Sequence, residues 1–244
     1  MQDATGPAIE TMHTDTPVAG VDGARGGWLA VLVGGAGITA HLLPRAADVI
    51  GLAAAQIAVD MPIGLADSGP RACDRAARRL LPKPRRASVF APPRRYMLGL
   101  AYAEANAAGR QREGVGLSRQ AWHIGRRVAE LDAVLTPAAQ ARVAESHPEL
   151  IFHRLNGWRA LPRKTTAEGR AARMALLRNA GLPDPAPLLG RYRRAEVQPD
   201  DVLDAAACSL TAARRLAGTA CRVPDPADGP PPCDARGLAM AIWY

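Results

Sequence analysis

Two short apolar runs each end in an aspartate, and they constrain the fold more than any other feature of the chain. Val18-Ala-Gly-Val21 ends at Asp22, and Ile57-Ala-Val59 ends at Asp60. The second run contains no polar residue. A strand that is apolar on both faces belongs in the interior of a sheet covered on both sides, the usual place of a parallel strand. Residues 28–33 (W-L-A-V-L-V) and 38–43 supply two more strands, separated by glycine-rich turns. The chain therefore opens with a three-stranded antiparallel meander. A turn centred on Arg25–Gly27 keeps Asp22 on the first strand; a turn at Asp22-Gly23 would bury Gly26 and Gly27 in the return strand, where glycine is weakening.

The remaining elements follow from periodicity and punctuation. Residues 46–55 read as a short helix, 57–60 as the fourth strand and 71–81 as a helix. Residues 84–95 read as a loop, because P-K-P and A-P-P break any longer helix. From Ser118, a good N-cap, Ala121, Trp122, Ile124, Val128, Leu131, Val134 and Leu135 recur at helical spacing. Residues 141–146 fit a further strand. Thr165-x-x-Glu168 has the capping-box pattern and opens a helix to about Asn179. The last helix starts at Asp200 or Asp201 and runs to about Leu216. Residues 223–237 are a Pro/Gly/Asp linker to an apolar terminus, G-L-A-M-A-I-W-Y, expected to pack on the body. The order is α/β: an RNase H-like mixed sheet flanked by helices, with a basic helical and loop insert (about 65–140) after the fourth strand. Residues 18–244 are expected to form one such domain behind a disordered tail, residues 1–17.

Three carboxylates sit where carboxylates are costly. Asp22 and Asp60 close buried strands, and Asp204 lies in D-V-L-D-A-A-A-C-S-L, among apolar neighbours. An unpaired buried carboxylate costs several kcal/mol, and three together repel one another. A bound Mg²⁺ or Mn²⁺ resolves both problems with oxygen ligands. Asp201, three residues before Asp204, faces the same side of the helix and joins the metal candidates. Acidic first-turn residues that favour the helix dipole are the plainer account of Asp200 and Asp201. Glu145 and His147 alternate and share a face, and Glu149 would follow on it if Pro148 did not disturb the strand. Each is a candidate to ligate a metal or shuttle a proton, with Glu145 also a candidate to assist catalysis; a satisfied polar edge is the plainer account of all three.

The formal net charge is +8, and residues 71–95 hold nine basic side chains and one acidic one, which accounts for all of it. Arginine-rich codon usage explains the scarcity of lysine, Lys83 and Lys164 being the only two, but not this clustering. The segment points to an anionic partner, a nucleic acid or a nucleotide, held through phosphate. The substrate-side candidates are Arg25, Arg71, Arg85, Arg86, Ser88 and Lys164. Four cysteines with no C-x-x-C spacing and no apolar leader point to reduced thiols and a cytoplasmic location. No apolar run approaches the roughly 18 residues that cross a bilayer. A P-loop, G-x-G-x-x-G, H-E-x-x-H and the G-x-S-x-G elbow are absent. Oligomeric state leaves no signal.

The motifs G-V-D-G-A-R-G-G-W, A-V-D-M-P-I-G, G-P-R-A-C-D-R-A-A-R, R-R-A-S-V-F-A-P-P, G-L-S-R-Q, S-H-P-E-L, K-T-T-A-E-G-R and D-D-V-L-D-A, in this order over about residues 18–244, resemble domain of unknown function 429, a family grouped as predicted nucleases of RNase H fold. The resemblance implies an RNase H-like core with Asp22 as the first-strand acid, Asp60 as the fourth-strand acid and Asp201 and Asp204 as a late-helix pair. Related resolvases usually carry Glu at the second of these positions; Asp60 is one methylene shorter. The implied activity is phosphodiester cleavage with two Mg²⁺ or Mn²⁺ ions about 4 Å apart. The competing expectations are a nucleotide-handling enzyme on the same fold and a non-catalytic nucleic-acid-binding or regulatory module. A second copy of the core and a glycine-rich adenosine loop, which would favour the nucleotide-handling enzyme, are absent.

Overall fold

In a computed structural model, residues 16–35 and 37–244 are described; most of the tail expected at 1–17 lies outside them. The first three strands, β1 (Val18–Ala24), β2 (Gly27–Gly34) and β3 (Gly37–Leu43), form the expected antiparallel meander. The β1–β2 turn lies at Arg25-Gly26, so Asp22 stays on β1. Helix α1 (Ala46–Ile50) ends at Gly51, earlier than expected, because the chain must turn through Leu52–Ala54 into the next strand. That strand, β4 (Ile57–Asp60), pairs parallel with β1, and β5 (Val143–Ser146) pairs parallel with β4.

The first and last strands belong to one seven-stranded mixed sheet of order β3-β2-β1-β4-β5-β7-β6. Its first five strands have the RNase H-like order expected from the sequence. The apolar terminus does more than pack on the body. Its β7 (Ile242–Trp243) extends the sheet parallel to β5, and β6 (Arg222–Val223) pairs antiparallel with β7 at the edge.

Alternation along the strands separates two cores. Ala19, Val21, Ile57, Val59 and Val143 face α1 and α4 (Arg119–Val134). Val18, Leu29, Val31 and Ala58 face α8 (Pro199–Leu216), α6 (Pro148–Leu155) and α7 (Ala167–Asn179). Ser118 caps α4 through its hydroxyl, as expected. The cap of α7 is Thr166, one residue later than the pattern predicts, with its Oγ accepting from the Gly169 N–H.

The insert between β4 and β5 carries α2 (Ala72–Leu80), two 3-10 turns (Lys83–Ser88 and Arg95–Met97), α3 (Tyr102–Glu113), α4 and α5 (Pro137–Gln140). Helix α3 is unforeseen. It buries only Ala105 and Gly109 and therefore shows no apolar stripe. The strand read at 141–146 ends at Ser146 as expected, so His147 lies just beyond it. Pro148 occupies the first turn of α6, where a missing N–H costs nothing, so Glu149 sits on a helix.

Candidate metal centre

Asp22 and Asp60 are direct register partners across the parallel β1–β4 pair. Successive side chains alternate faces, so Gly20 and Asp22 share the α8 face with Ala58 and Asp60. Helix α8 lies unusually close to this face. A Cβ on Gly20 would stand 2.0 Å from the Ala205 carbonyl oxygen and 2.1 Å from the Ser209 nitrogen. Only a residue without a side chain lets the helix backbone approach the strand like this. The approach brings Asp204 over the two strand ends. One carboxylate oxygen from each of Asp22, Asp60 and Asp204 lies within 4.8 Å of the others.

The electrostatics of this triad are unfavourable without a cation. Burial first, and then Asp60 and Asp204, push the Asp22 carboxyl well above its ordinary range. Burial and the neighbouring Asp204 push Asp60 up to about 8. Burial also raises Asp204, although the ammonium of Lys164 opposes the shift. The Lys164 Nζ donates to Asp204 Oδ2 at 2.6 Å and stands 3.4 Å from Asp200 Oδ2. Burial lowers the lysine's own pKa, but Asp204 outweighs it and the net direction is up. Among the described residues no hydrogen-bond donor reaches the carboxylates of Asp22 or Asp60. An all-oxygen donor set, crowded and short of positive charge, could hold a metal ion.

The sequence profile of the family described as Protein of unknown function (DUF429) matches residues 20–229. The chain belongs to the DUF429 family. No curated protein and no solved structure matches it.

The triad of this DUF429 chain opens into a cavity of about 330 Å³. Phe90 and Ile124 of the insert, His147 and Lys164 contribute to its walls. The other expected site residues separate into those at the cavity and those elsewhere. Asp201 is not part of the triad. Its Oδ2 accepts from the Gln198 N–H at 2.8 Å and closes the N-terminus of α8, while burial still raises its pKa to about 6. The plainer reading of that residue, a helix-end acid, is the one its geometry supports.

Glu145 and Arg71 border the cavity but are committed to each other. Arg71 is 2 % exposed. Its guanidinium meets Glu145 at 2.7 Å and Asp74 at 2.6 Å, and it also donates to the carbonyls of Ile63 and Gly64. Glu145 Oε2 accepts from the Ile63 N–H at 2.8 Å. The expectations of a phosphate-binding arginine and an assisting acid therefore give way to a clamp that fixes the Met61–Gly64 loop directly after Asp60. A buried ion pair of this kind is satisfied only when every donor is met.

Arg85 reaches the cavity, paired with Glu149 at 3.3 Å and donating to the Leu161 carbonyl. Ser88 lines it too, its hydroxyl donating to the Arg85 carbonyl. Arg86 folds back onto the Leu81 carbonyl, and Arg25 is exposed in the β1–β2 turn; neither borders the cavity. Lys164 was expected on phosphate and stands instead on the acidic triad. His147 lines the cavity with Nε2 3.3 Å from the Ser88 carbonyl oxygen and Nδ1 buried without a partner; burial lowers its pKa. Two structural residues were not foreseen. Gly20 was visible as a glycine inside an apolar strand. Arg173, 1 % exposed and donating to Glu149 at 3.2 Å, has no local sequence signal, because its partner lies on another helix.

Proposed function

We propose that this chain is a divalent-metal-dependent hydrolase of phosphodiester bonds. The observation that carries the reading is the triad: three carboxylates within 4.8 Å, Asp204 buried and Asp22 and Asp60 half-buried, with Lys164 on Asp204 and, among the described residues, no donor on the other two. Asp22, Asp60 and Asp204 would hold Mg²⁺ or Mn²⁺. When bound, such an ion supplies Lewis acidity at a phosphoryl oxygen and lowers the pKa of water. Hydrolysis joins a water oxygen to phosphorus, breaks the bond from phosphorus to the ester oxygen, and transfers the water's proton through solvent to that leaving oxygen. Lys164 opposes the upward push of burial on Asp204 and holds one of its oxygens at the triad. The Arg71–Glu145 clamp positions Asp60 from behind. A cytoplasmic site of action belongs to the same proposal; its support is that Cys73, Cys208, Cys221 and Cys233 are all free thiols. Among the described residues no helix is long and apolar enough to cross a membrane.

The test is metal linkage combined with turnover. Millimolar Mn²⁺ should raise the melting temperature of the wild-type protein, because it binds only the folded state. It should also switch on phosphodiester hydrolysis. Asp22→Asn and Asp204→Asn should remove the rise and lower kcat/KM by more than about 100-fold, the upper end of what the partners behind metal ligands are worth. A protein whose melting is indifferent to Mn²⁺ would leave the non-catalytic module as the better account.

A further inference from the structure

We infer that the phosphodiester taken by this site is small, about the size of a mononucleotide, and is enclosed in the cavity rather than being part of a nucleic-acid polymer laid across the surface. The inference rests on the hydrolase reading above and narrows its substrate.

Size is the first ground. Sites for small molecules have volumes of about 300–1,000 Å³ and are mostly apolar with a few fixed polar groups. The cavity, at about 330 Å³, lies at the lower end of that range. Its apolar walls, Phe90, Ile124, Val89 and Ile242, come largely from the insert and the terminal strand, which together border the triad. A specific protein–DNA interface, in contrast, covers about 1,000–2,500 Å² of protein surface.

Charge is the second ground. A polymer is held by rows of unpaired cations that replace its counterions. The basic segment does not supply such a row at this site. Arg71, Arg85, Arg94 and Arg95 are each paired with carboxylates. The other five basic residues of 71–95 do not border the cavity, and Arg78 and Arg86 among them are folded onto backbone carbonyls. The cavity itself is lined by six carboxylates and three fixed cations, Arg71, Arg85 and Lys164. An anionic substrate therefore has little to bind except a metal ion on the triad and the Lys164 side. A small diester needs no more than that. A long polyanion finds no unpaired cation among the residues that line the cavity.

The experiment compares substrates on the Mn²⁺-loaded full chain. The small probes are bis(p-nitrophenyl) phosphate, 2′,3′- and 3′,5′-cyclic nucleotides and a dinucleotide. The polymers are closed circular single-stranded DNA, which has no ends, and end-labelled duplex and RNA–DNA hybrid oligonucleotides. The expected result is Mn²⁺-dependent hydrolysis of at least one small diester with no internal cuts in any polymer. Ile124→Trp, which fills the cavity from a half-buried position, should lower kcat/KM for that diester by at least about tenfold and leave the Mn²⁺-induced rise in melting temperature intact. Phe90→Ala, a milder change that opens the same wall, should raise KM with little effect on kcat. Internal cleavage of the circle or the oligonucleotides at rates above those for the small diesters overturns the inference. So does a protein that keeps the Mn²⁺ rise but hydrolyses no small diester, or whose small-diester kinetics ignore both variants. Loss of the Mn²⁺ rise in the wild type is a different result: it removes the hydrolase reading itself.

Discussion

Acidic side chains are treated in opposite ways on the two sides of this molecule. In the insert each buried or half-buried acid is met by arginine. Against the upward push of burial, hydrogen bonds from Arg94 and Tyr96 and from the Gly69 N–H hold Glu113 below its ordinary range. Asp234, which docks the terminal segment on the insert, is held low in the same way by Arg95 and by the N–H groups of Leu65, Leu238 and Arg236. At the ends of β1 and β4 the reverse holds. Asp22 and Asp60 are half-buried, adjacent and, among the described residues, without a donor, and both are raised. Matched charge fixes the insert in place. Unmatched charge at the strand ends has no structural use, and such mismatches gather where proteins bind ions or do chemistry.

The largest expected effect breaks this comparison by pH. In the metal-free protein, Asp60 binds a proton up to about pH 8 when folded but releases it near pH 4 when unfolded. The folded state therefore holds more protons across that window, and stability falls as pH rises from about 4 towards 8. Glu113 and Glu130 of the insert, and Asp234 docked on it, have lowered values. Their contribution is present above about pH 4 and is lost as pH falls below it. Urea unfolding of metal-free protein across this range should show a stability maximum on the acid side, moving towards neutral pH when Mn²⁺ is added. Asp60→Asn should flatten the alkaline decline and leave the acid limb unchanged. An unaltered alkaline limb in Asp60→Asn would mean that the triad is not electrostatically strained.

The next effect asks whether the clamp behaves as matched charge. Arg71→Met removes the partner of both Glu145 and Asp74 in a buried place. Breaking a buried pair from one side costs about 3–5 kcal/mol. The same experiment on Asp22→Asn, without metal, should give a change of the opposite sign, because a repelling charge is removed. The paired urea titrations sharpen the contrast: one charge deletion destabilises, while the other stabilises. If Arg71→Met costs less than about 1 kcal/mol, the clamp is not what holds the loop after Asp60.

How much of this was legible depends on how local the cause is. The meander, β4 and α8 were readable because their apolar pattern is carried by a few consecutive residues. The acidic triad was readable for the same reason, since each carboxylate is out of place among its own neighbours. The role of Arg71 was not. Its character comes from Glu145, 74 positions away, and a count of charges in 71–95 assigns it to phosphate with its neighbours. Helix α3 was missed because it buries two small residues and offers no stripe. Asp201 read as a ligand because it lies three residues from Asp204, but the need to satisfy the first turn of α8 determines where its carboxylate points.

The smallest of these effects concerns Gly20, where the two sides of the comparison are joined. The triad forms only if α8 comes close enough to β1 for Asp204 to reach the strand ends, and Gly20 is the residue that allows it. Gly20→Ala places a methyl 2.0 Å from the Ala205 carbonyl oxygen and 2.1 Å from the Ser209 nitrogen, so helix and strand must separate. Overpacking of this kind costs about 1–3 kcal/mol. The displacement acts on Asp204 more than on Asp22 and Asp60, which are held by their own strand pairing. Gly20→Ala should therefore weaken Mn²⁺ binding at a protein concentration and temperature where the variant is still fully folded, while the clamp and insert keep their acid limb in the pH profile. The measurements are calorimetric Mn²⁺ titration and urea unfolding of the same preparation. A variant that loses stability but binds Mn²⁺ with wild-type affinity would show that the position of Asp204 does not depend on the close contact between α8 and β1.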